Sequence, residues 1–181
     1  MKFEIETDNL ILKILTSDSA PLVLDFYMRN QRLFEAFEPM LSEDFYSLTH
    51  QENLLNFEYK STLKLNMARY YIFEKGNMNN IIGTVSFRNI IRPVYSCATV
   101  GYKMDQKYQR KGYCYEALST LIPMINSEVG IRRFEALVLP DNLPSISLLE
   151  KLGFEKEGLL KEKVCIKDRY EDHFLYAKIF K

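Results

Sequence analysis

One stretch of the chain places a predicted strand, a short polar turn and a predicted helix directly after one another. Residues 99–104 alternate as in a strand, and a helix-like run begins at Tyr115. Gly112 lies in the turn, where the absence of a Cβ lets the backbone approach a ligand closely. The first amides of a helix have no partner within it and carry partial positive charge. The layout therefore predicts a helix N-terminus at a strand end, with a phosphate-binding turn to which Arg110 and Lys111 add charge.

The composition is that of an ordinary globular chain. It has 181 residues, of which 47% are hydrophobic and 27% charged, enough to build one core in one domain spanning 1–181. Lys plus Arg and Asp plus Glu are both 24, and this zero net charge argues against nucleic acid as a partner. No apolar run reaches membrane-spanning length, and residues 1–6 are acidic and alternating, unlike a signal peptide. We therefore expect a cytoplasmic protein with no membrane partner.

The three cysteines, Cys97, Cys114 and Cys165, are far apart in the sequence. Their odd number and spacing match neither a disulfide framework nor a zinc site, so we expect reduced thiols and no metal. Cys114 stands where the predicted helix begins, and a helix N-terminus lowers the pKa of a thiol. It is either a nucleophile or a packing residue beside the turn, and we favour packing.

Periodicity and turn residues predict elements along the whole chain. The first strand is broken by a turn at Asp8-Asn9, Thr49 begins a capping box, and Pro123 is expected to kink its helix. The order predicts an α+β fold with one mixed, mostly antiparallel, twisted sheet of about seven strands and helices on both faces. The predicted strands are 3–5 with 10–15, 68–75, 81–91, 96–104, 133–139, 154–166 and 170–180, and the predicted helices are 19–29, 31–37, 49–67, 112–128 and 142–152.

Two motifs carry a resemblance to a known family. Residues 109–114, QRKGYC, resemble the Q/R-x-x-G-x-G/A pyrophosphate signature of the GNAT N-acetyltransferases. Residues 142–154, NLPSISLLEKLGF, resemble the second motif of that superfamily, in the form found in ribosomal-protein acetyltransferases of the RimJ/RimL type. Residues 82–87, 100–102 and 170–176 are similar to the same group. The resemblance covers most of the chain and is clearest from about residue 69.

The resemblance implies the GNAT fold, with a splay between the fourth and fifth strands, and an acetyl-CoA-dependent N-acetyltransferase acting on a primary amine. Acetyl-CoA would lie in the opening between strands 98–104 and 133–139, with its pantetheine arm paired to the strand backbone. The unpaired amides there could bind the thioester oxygen. The cofactor-binding residues implied are Tyr102, Lys103, Met104, Gln109, Arg110, Lys111, Gly112, Tyr113, Cys114, Asn142 and Ser145.

The catalytic candidates differ in how well the sequence supports them. Ser145 stands at the serine position of the RimL-type motif and would stabilise the leaving thiolate, unless it only caps the following helix. Asn142 would contact the cofactor arm or a water beside it. At two positions relatives carry a carboxylate that can act as the general base, and this chain has Thr99 and Val164 there. Glu135 is then the candidate base, with a salt bridge to Arg132 or Arg133 as the alternative, and proton release to solvent or by the substrate is a third route.

Four other residues carry a carboxylate or an imidazole that could act in proton transfer. Glu162 lies two residues from Val164, which in a regular strand displaces it by about 7 Å. Asp172 and His173 are adjacent and would point to opposite faces of a strand, so His173 is expected to be structural. His50 lies in the capping box and is expected to be exposed.

Two functions of different classes remain open from the sequence. The first is an N-acetyltransferase whose acceptor is a small-molecule amine or a protein N-terminus, working as a monomer or homodimer. The alternative is a non-catalytic acyl-CoA-binding or sensing domain, favoured by the loss of acidic residues at Thr99 and Val164. The acceptor itself does not follow from the motifs, because a fold family hosts many substrates.

Overall fold

The structure, a computed structural model that describes residues 1–181, contains eight strands and four α-helices around one sheet. The strands are β1 (Glu4–Glu6), β2 (Leu10–Lys13), β3 (Ala68–Glu74), β4 (Asn77–Ile91), β5 (Cys97–Met104), β6 (Arg133–Val138), β7 (Glu155–Ile166) and β8 (Arg169–Ile179). The helices are α1 (Ala20–Phe34), α2 (Leu48–Leu63), α3 (Tyr113–Val129) and α4 (Leu143–Lys151).

The sheet has the order β1-β2-β3-β4-β5-β6-β8-β7. Every neighbouring pair is antiparallel except β5 and β6, which are parallel. The predicted mixed, mostly antiparallel sheet is therefore confirmed. The strand number is eight because the turn at Asp8-Asn9 folds the first predicted strand into an antiparallel pair, β1 and β2.

Side chains alternate between the two faces of the sheet and build a core on each. Tyr70 and Phe134 lie in the larger core, which α3 closes, while Tyr71 and Phe26 lie in the smaller core beneath α1 and α2. Each large apolar side chain that is fully buried contributes roughly 1.5–3 kcal/mol relative to exposure. Helices on both faces, as predicted, follow from this alternation. No helix is long and apolar enough to cross a membrane.

Two details of the first helices differ from the sequence predictions. α1 is one continuous helix through Phe34, where two helical pieces were predicted. Asn30 lies in it without breaking it, because its side chain is buried and donates to the Phe26 carbonyl at 3.0 Å. The N-cap of α2 is Ser47 and not Thr49, since the Ser47 hydroxyl accepts from the His50 amide at 3.2 Å.

β5 and β6 pair over three residues only, Cys97–Thr99 against Arg133–Glu135. Beyond this point β6 pairs only with β8, and β5 only with β4, as far as Met104 opposite Gly83. One edge of β5 is therefore open over residues 100–104. This confirms the predicted splay between the strands.

Candidate active site

The turn between β5 and α3 presents its backbone amides to an open space. Arg110 and Gly112 both have left-handed backbone conformations, with φ of 61° and 83°. Such residues turn neighbouring amides toward one side and form a concavity that binds anions. No backbone carbonyl accepts from the amides of residues 110–114, and the first helical bond is from Glu116 to the Gly112 carbonyl at 3.0 Å. A Cβ built at Gly112 meets no atom within 4 Å, so the turn is open on that side.

Asp105 holds the start of this turn in place. Its side chain is buried and accepts from Arg29 Nε at 2.7 Å and from Asn30 Nδ2 at 3.1 Å, both on α1. Its second oxygen accepts from the Lys107 amide at 2.8 Å. Burial raises the pKa of Asp105, but these hydrogen bonds outweigh it and hold the pKa below its usual value. The end of β5 is thus tied to α1 by an ionised, buried carboxylate.

The side chains around the turn between β5 and α3 either pack against aromatic rings and β3 or extend into solvent. Lys111 Nζ lies 4.6 Å from the centre of the Tyr108 ring, within the range of a cation–π contact. Tyr113 donates its hydroxyl proton to Glu74 at 2.6 Å, which fixes the first residue of α3 to β3. Gln109, Arg110 and Lys111 are exposed, so their side chains are free to meet charge from solvent.

Tyr102 and Ser145 meet at the open edge of β5. The two hydroxyl oxygens lie 2.5 Å apart, and Tyr102 Oη lies 3.3 Å from the Ser145 carbonyl oxygen. The Ser145 amide donates to Asn142 Oδ1 at 3.2 Å, which makes Asn142 the N-cap of α4. The alternative role of Ser145 as the helix cap is therefore wrong. Three predicted site residues, Tyr102, Asn142 and Ser145, are brought together here.

Lys103 points to the opposite face of the sheet from Tyr102, because successive strand residues alternate. Its ammonium pairs with Glu38 and lies 4.9 Å from the centre of the Phe34 ring and 5.7 Å from that of Tyr27. Burial lowers the pKa of Lys103, and Glu38 offsets part of that effect. The side chain of Lys103 thus joins β5 to the segment after α1, and only its backbone faces the opening.

A cavity of about 750 Å³ lies between the loop after β6, the segment after α1 and the β7–β8 hairpin. Four carboxylates and two basic side chains line it, so its lining is acidic on balance. These are Asp141, Glu162, Glu171 and Asp172, with Lys167 and Arg169. Asp141, which lines the cavity, directly precedes Asn142 in the chain.

Glu162 enters the lining because β7 is not a regular strand. Leu160 pairs with His173 and Val164 with Glu171, so three residues of β7 lie opposite Asp172 alone. Glu162 adopts a φ of 48°, and its amide donates to Asp172 Oδ1 at 2.8 Å. A bulge of this kind redirects side chains. The regular-strand spacing expected for Glu162 and Val164 is therefore wrong.

Residues 9–155 match the family model described as the acetyltransferase (GNAT) domain. The chain belongs to the GNAT acetyltransferase family. It is 31% identical over 179 residues to the [ribosomal protein uS5]-alanine N-acetyltransferase of Escherichia coli strain K12, covering 97% of this chain and 90% of that one. It is 32% identical to the probable N-acetyltransferase YjcK of Bacillus subtilis strain 168, covering 85% of this chain and 84% of the relative.

A solved structure agrees with this assignment. The ribosomal-protein-S5-alanine acetyltransferase of Vibrio fischeri superposes with a TM-score of 0.94, at 29% identity, over 98% of this chain and 97% of that chain. Family membership and this superposition confirm the predicted GNAT fold and identify the chain as an N-acetyltransferase.

The remaining candidates of this GNAT chain lie outside the opening or are engaged by the protein. The Glu135 carboxylate accepts from Arg133 Nε at 2.5 Å and lies at the end where β5 and β6 still pair. Burial raises the pKa of the Cys114 thiol to about 12, so the thiol is protonated at neutral pH despite its place in the first turn of α3.

The terminal hairpin keeps its histidine away from the neighbouring aspartate. His173 is buried with Nδ1 3.0 Å from the Glu171 carbonyl oxygen, while Asp172 pairs with Lys161 Nζ at 2.7 Å. The arrangement agrees with the structural role expected for His173.

Sequence reasoning missed the side-chain role of Asp105, the pairing of Tyr102 with Ser145 and the bulge at Glu162. An acidic residue directly after a strand is a signal for a cap, and it could have indicated Asp105. The other two depend on contacts between distant segments and left no local signal.

Proposed function

We propose that this GNAT enzyme transfers the acetyl group of acetyl-CoA to the N-terminal α-amine of a protein. The observation that carries the proposal is the adjacency of two features. One edge of β5 is unpaired over residues 100–104 just before the amide-lined turn, and Tyr102 in that stretch contacts Ser145. Asp141, which lines the acidic cavity, precedes Ser145 by four residues in the chain.

The donor side fits a nucleotide-linked thioester. The amides of residues 110–114 would hold the diphosphate, because they are free of protein acceptors and lie at a helix N-terminus. The open edge of residues 100–104 would pair with the amide groups of the pantetheine arm in the manner of an added strand. The thioester supplies an activated acetyl group, and Ser145 stands where the sulfur would leave.

The acceptor side favours a cationic group of low pKa. An α-amine has a pKa of about 8 and a lysine side chain about 10.4, so the α-amine is neutral far more often at neutral pH. That difference matters here, since Thr99 and Val164 replace two carboxylates and Glu135 is paired with Arg133. An acceptor whose amine loses its proton readily needs the least help from a base. The acidic cavity would attract the ammonium form from solution.

The chemistry then needs few protein groups. The neutral amine nitrogen forms a bond to the carbonyl carbon, the carbon–sulfur bond breaks, and the sulfur keeps the electron pair. The proton released from nitrogen ends on the CoA sulfur or in solvent. Ser145 would donate a hydrogen bond to the developing thiolate. The relatives named for alanine acetylation of ribosomal protein uS5 support a protein N-terminus as the acceptor.

The test is a thiol-release assay with acetyl-CoA and a panel of amines. Peptides beginning with Ala, Ser or Met are compared with the same peptides carrying a blocked N-terminus and one internal lysine, and with polyamines and aminoglycosides. Release with free N-termini and none with blocked peptides is expected. Faster thiol release with a polyamine or an aminoglycoside than with the free N-terminal peptides would contradict the proposal of a protein acceptor. Tight CoA binding without thiol release on any amine would favour the alternative, a non-catalytic acyl-CoA-binding domain. The absence of carboxylates at Thr99 and Val164 is what motivates that alternative.

A further inference from the structure

The hydroxyl pair of Tyr102 and Ser145 has a built-in direction. Tyr102 is a half-buried residue of β5 that contacts α4, and burial raises the pKa of its phenol well above the ordinary value. The phenol is therefore protonated in any working range of pH and has one proton to donate. Its oxygen lies 2.5 Å from Ser145 Oγ but 3.3 Å from the Ser145 carbonyl oxygen. Either hydroxyl can donate in the shorter contact. A phenol is a stronger acid than an aliphatic hydroxyl, so we assign the proton of this contact to Tyr102, with Ser145 Oγ as its acceptor.

This direction decides where the serine proton can go. A hydroxyl has one proton and two lone pairs. If Ser145 Oγ accepts from Tyr102, its own proton is left for another acceptor. The helix cap does not use that proton, because Asn142 accepts from the Ser145 amide and not from the hydroxyl. With Tyr102 as the donor, the serine proton has no protein acceptor in the structure and is available to a ligand.

We propose that Tyr102 is a positioning residue that orients the Ser145 hydroxyl as a donor toward the leaving sulfur. The inference rests on the proposed function, because it needs Ser145 to face the thioester. Tyr102 does not itself touch the reacting atoms and no proton leaves it. Its hydrogen bond stabilises Ser145 Oγ as that hydroxyl polarises toward the sulfur, and hydrogen bonds in such a chain strengthen one another.

The experiment is a double-mutant cycle of Tyr102→Phe and Ser145→Ala. Tyr102→Phe keeps the ring that packs in the core and removes only the hydroxyl. We expect kcat to fall about 10-fold in Tyr102→Phe and about 30-fold in Ser145→Ala, with KM for both substrates unchanged. The double variant should be no slower than Ser145→Ala alone, because Tyr102 acts only through the serine. A merely structural role would lower stability or raise KM and would not show this lack of additivity.

Tyr70→Phe is the matched control. Tyr70 is a buried strand tyrosine whose hydroxyl donates to the Lys2 carbonyl at 2.6 Å, and burial likewise raises its pKa. It therefore loses the same group in a comparable hydrogen bond. We expect any loss of thermal stability to match that of Tyr102→Phe, with no change in kcat.

Each outcome separates the inference from the function on which it rests. Slower turnover in Ser145→Ala with full turnover in Tyr102→Phe overturns the role of Tyr102 and leaves the proposed function standing. An equal loss from Tyr102→Phe in both serine backgrounds also overturns it, since the tyrosine would then act without the serine. If the wild-type chain turns over and Ser145→Ala matches it, Ser145 has no role and Tyr102 has none through it. If the wild type turns over none of the amines, the proposed function is wrong, and the role of Tyr102 that rests on it is wrong as well.

Discussion

The two sides of the opening between β5 and β6 are built in different ways. The proposed binding region for acetyl-CoA, here called the donor side, uses two short segments, 102–114 and 142–145, with backbone amides or side chains held by hydrogen bonds. Asp105, at its centre, is 3% exposed. The acidic cavity is the proposed binding region for the amine and is here called the acceptor side. The acceptor side combines the segment after α1, the loop after β6 and a bulged hairpin. Two of its four acidic side chains, Glu162 and Asp141, are exposed, and the other two, Glu171 and Asp172, are half-buried.

The difference indicates where the enzyme is rigid and where it is adaptable. A donor shared by a whole family can be met by a preorganised backbone site, which loses little freedom on binding. Acceptor choice can change through exposed residues on loops without disturbing that site. Substitutions on the donor side should therefore affect CoA binding or folding, and those on the acceptor side should affect the acceptor alone.

Gly112→Asp should break the donor side most severely. Two unit charges 4 Å apart near a protein surface repel by about 4 kcal/mol, so the added carboxylate should weaken CoA binding by more than about 100-fold. Gly112→Asn is the matched control, because Asn also tolerates the left-handed φ of 83° and has the same size without the charge. Calorimetry should show the loss for Asp and a much smaller one for Asn. Equal affinities for the two variants would show that no phosphate lies at the turn.

Asp105→Asn should have the next largest effect, on stability. It removes the charge from a buried carboxylate that accepts from Arg29, Asn30 and the Lys107 amide, and bonds of this type contribute roughly 1.5–3 kcal/mol each. We expect about 2 kcal/mol less free energy of unfolding at pH 7, measured in urea. CoA affinity should fall too, since the turn begins at this residue.

The pH dependence of that effect has a definite sign. The folded pKa of Asp105 is lowered, so the carboxylate stabilises the fold above its unfolded pKa of about 4 and loses that contribution as pH falls through the folded value. The stability gap between wild type and Asp105→Asn should therefore shrink on acidification below about pH 4. Asp8→Asn, at an exposed turn position, is the control and should leave the curve unchanged. A gap that stays constant with pH would mean the aspartate is not ionised in the folded state.

What could be predicted from the sequence follows the same division. The turn at 109–114 and the helix that begins near Asn142 were predictable because each depends on residues close together in the chain. The contact of Tyr102 with Ser145 joins residues 43 apart, and alternation shows only that Tyr102 faces one side of a strand. No pattern in that segment selects the partner across the gap.

The acceptor side was harder to predict for a further reason. Period-two alternation assumes a regular strand, and the bulge opposite Asp172 adds residues without leaving a glycine or proline to mark it. The sequence pattern therefore predicted the wrong position for Glu162 relative to Val164. The salt bridge offered as the alternative for Glu135 is present to Arg133, because both residues alternate to the same face of β6.

Glu162→Gln should sharpen the comparison from the acceptor side. We expect KM for a peptide acceptor to rise about 5-fold, because an exposed carboxylate contributes less than a buried one to holding an ammonium group. The Kd for CoA should not change. Glu155→Gln, an exposed glutamate at the other end of β7, is the matched control. A change in CoA affinity with no change in acceptor KM would place Glu162 on the donor side and contradict the division.

Cys114→Ala should have the smallest effect and tests whether the donor side works by packing or by covalent chemistry. The thiol lies in the first turn of α3, where the helix dipole lowers a thiol pKa, yet burial raises it to about 12. A protonated thiol is a poor nucleophile, so turnover should stay within about 2-fold of wild type. Iodoacetamide should inactivate the enzyme no faster than the Ala variant. Rapid inactivation that acetyl-CoA prevents, together with loss of turnover in Cys114→Ala, would instead indicate an acetyl-cysteine intermediate. In that case the amide-lined turn would place the donor beside a nucleophile, and the donor side could no longer be described as a binding site alone.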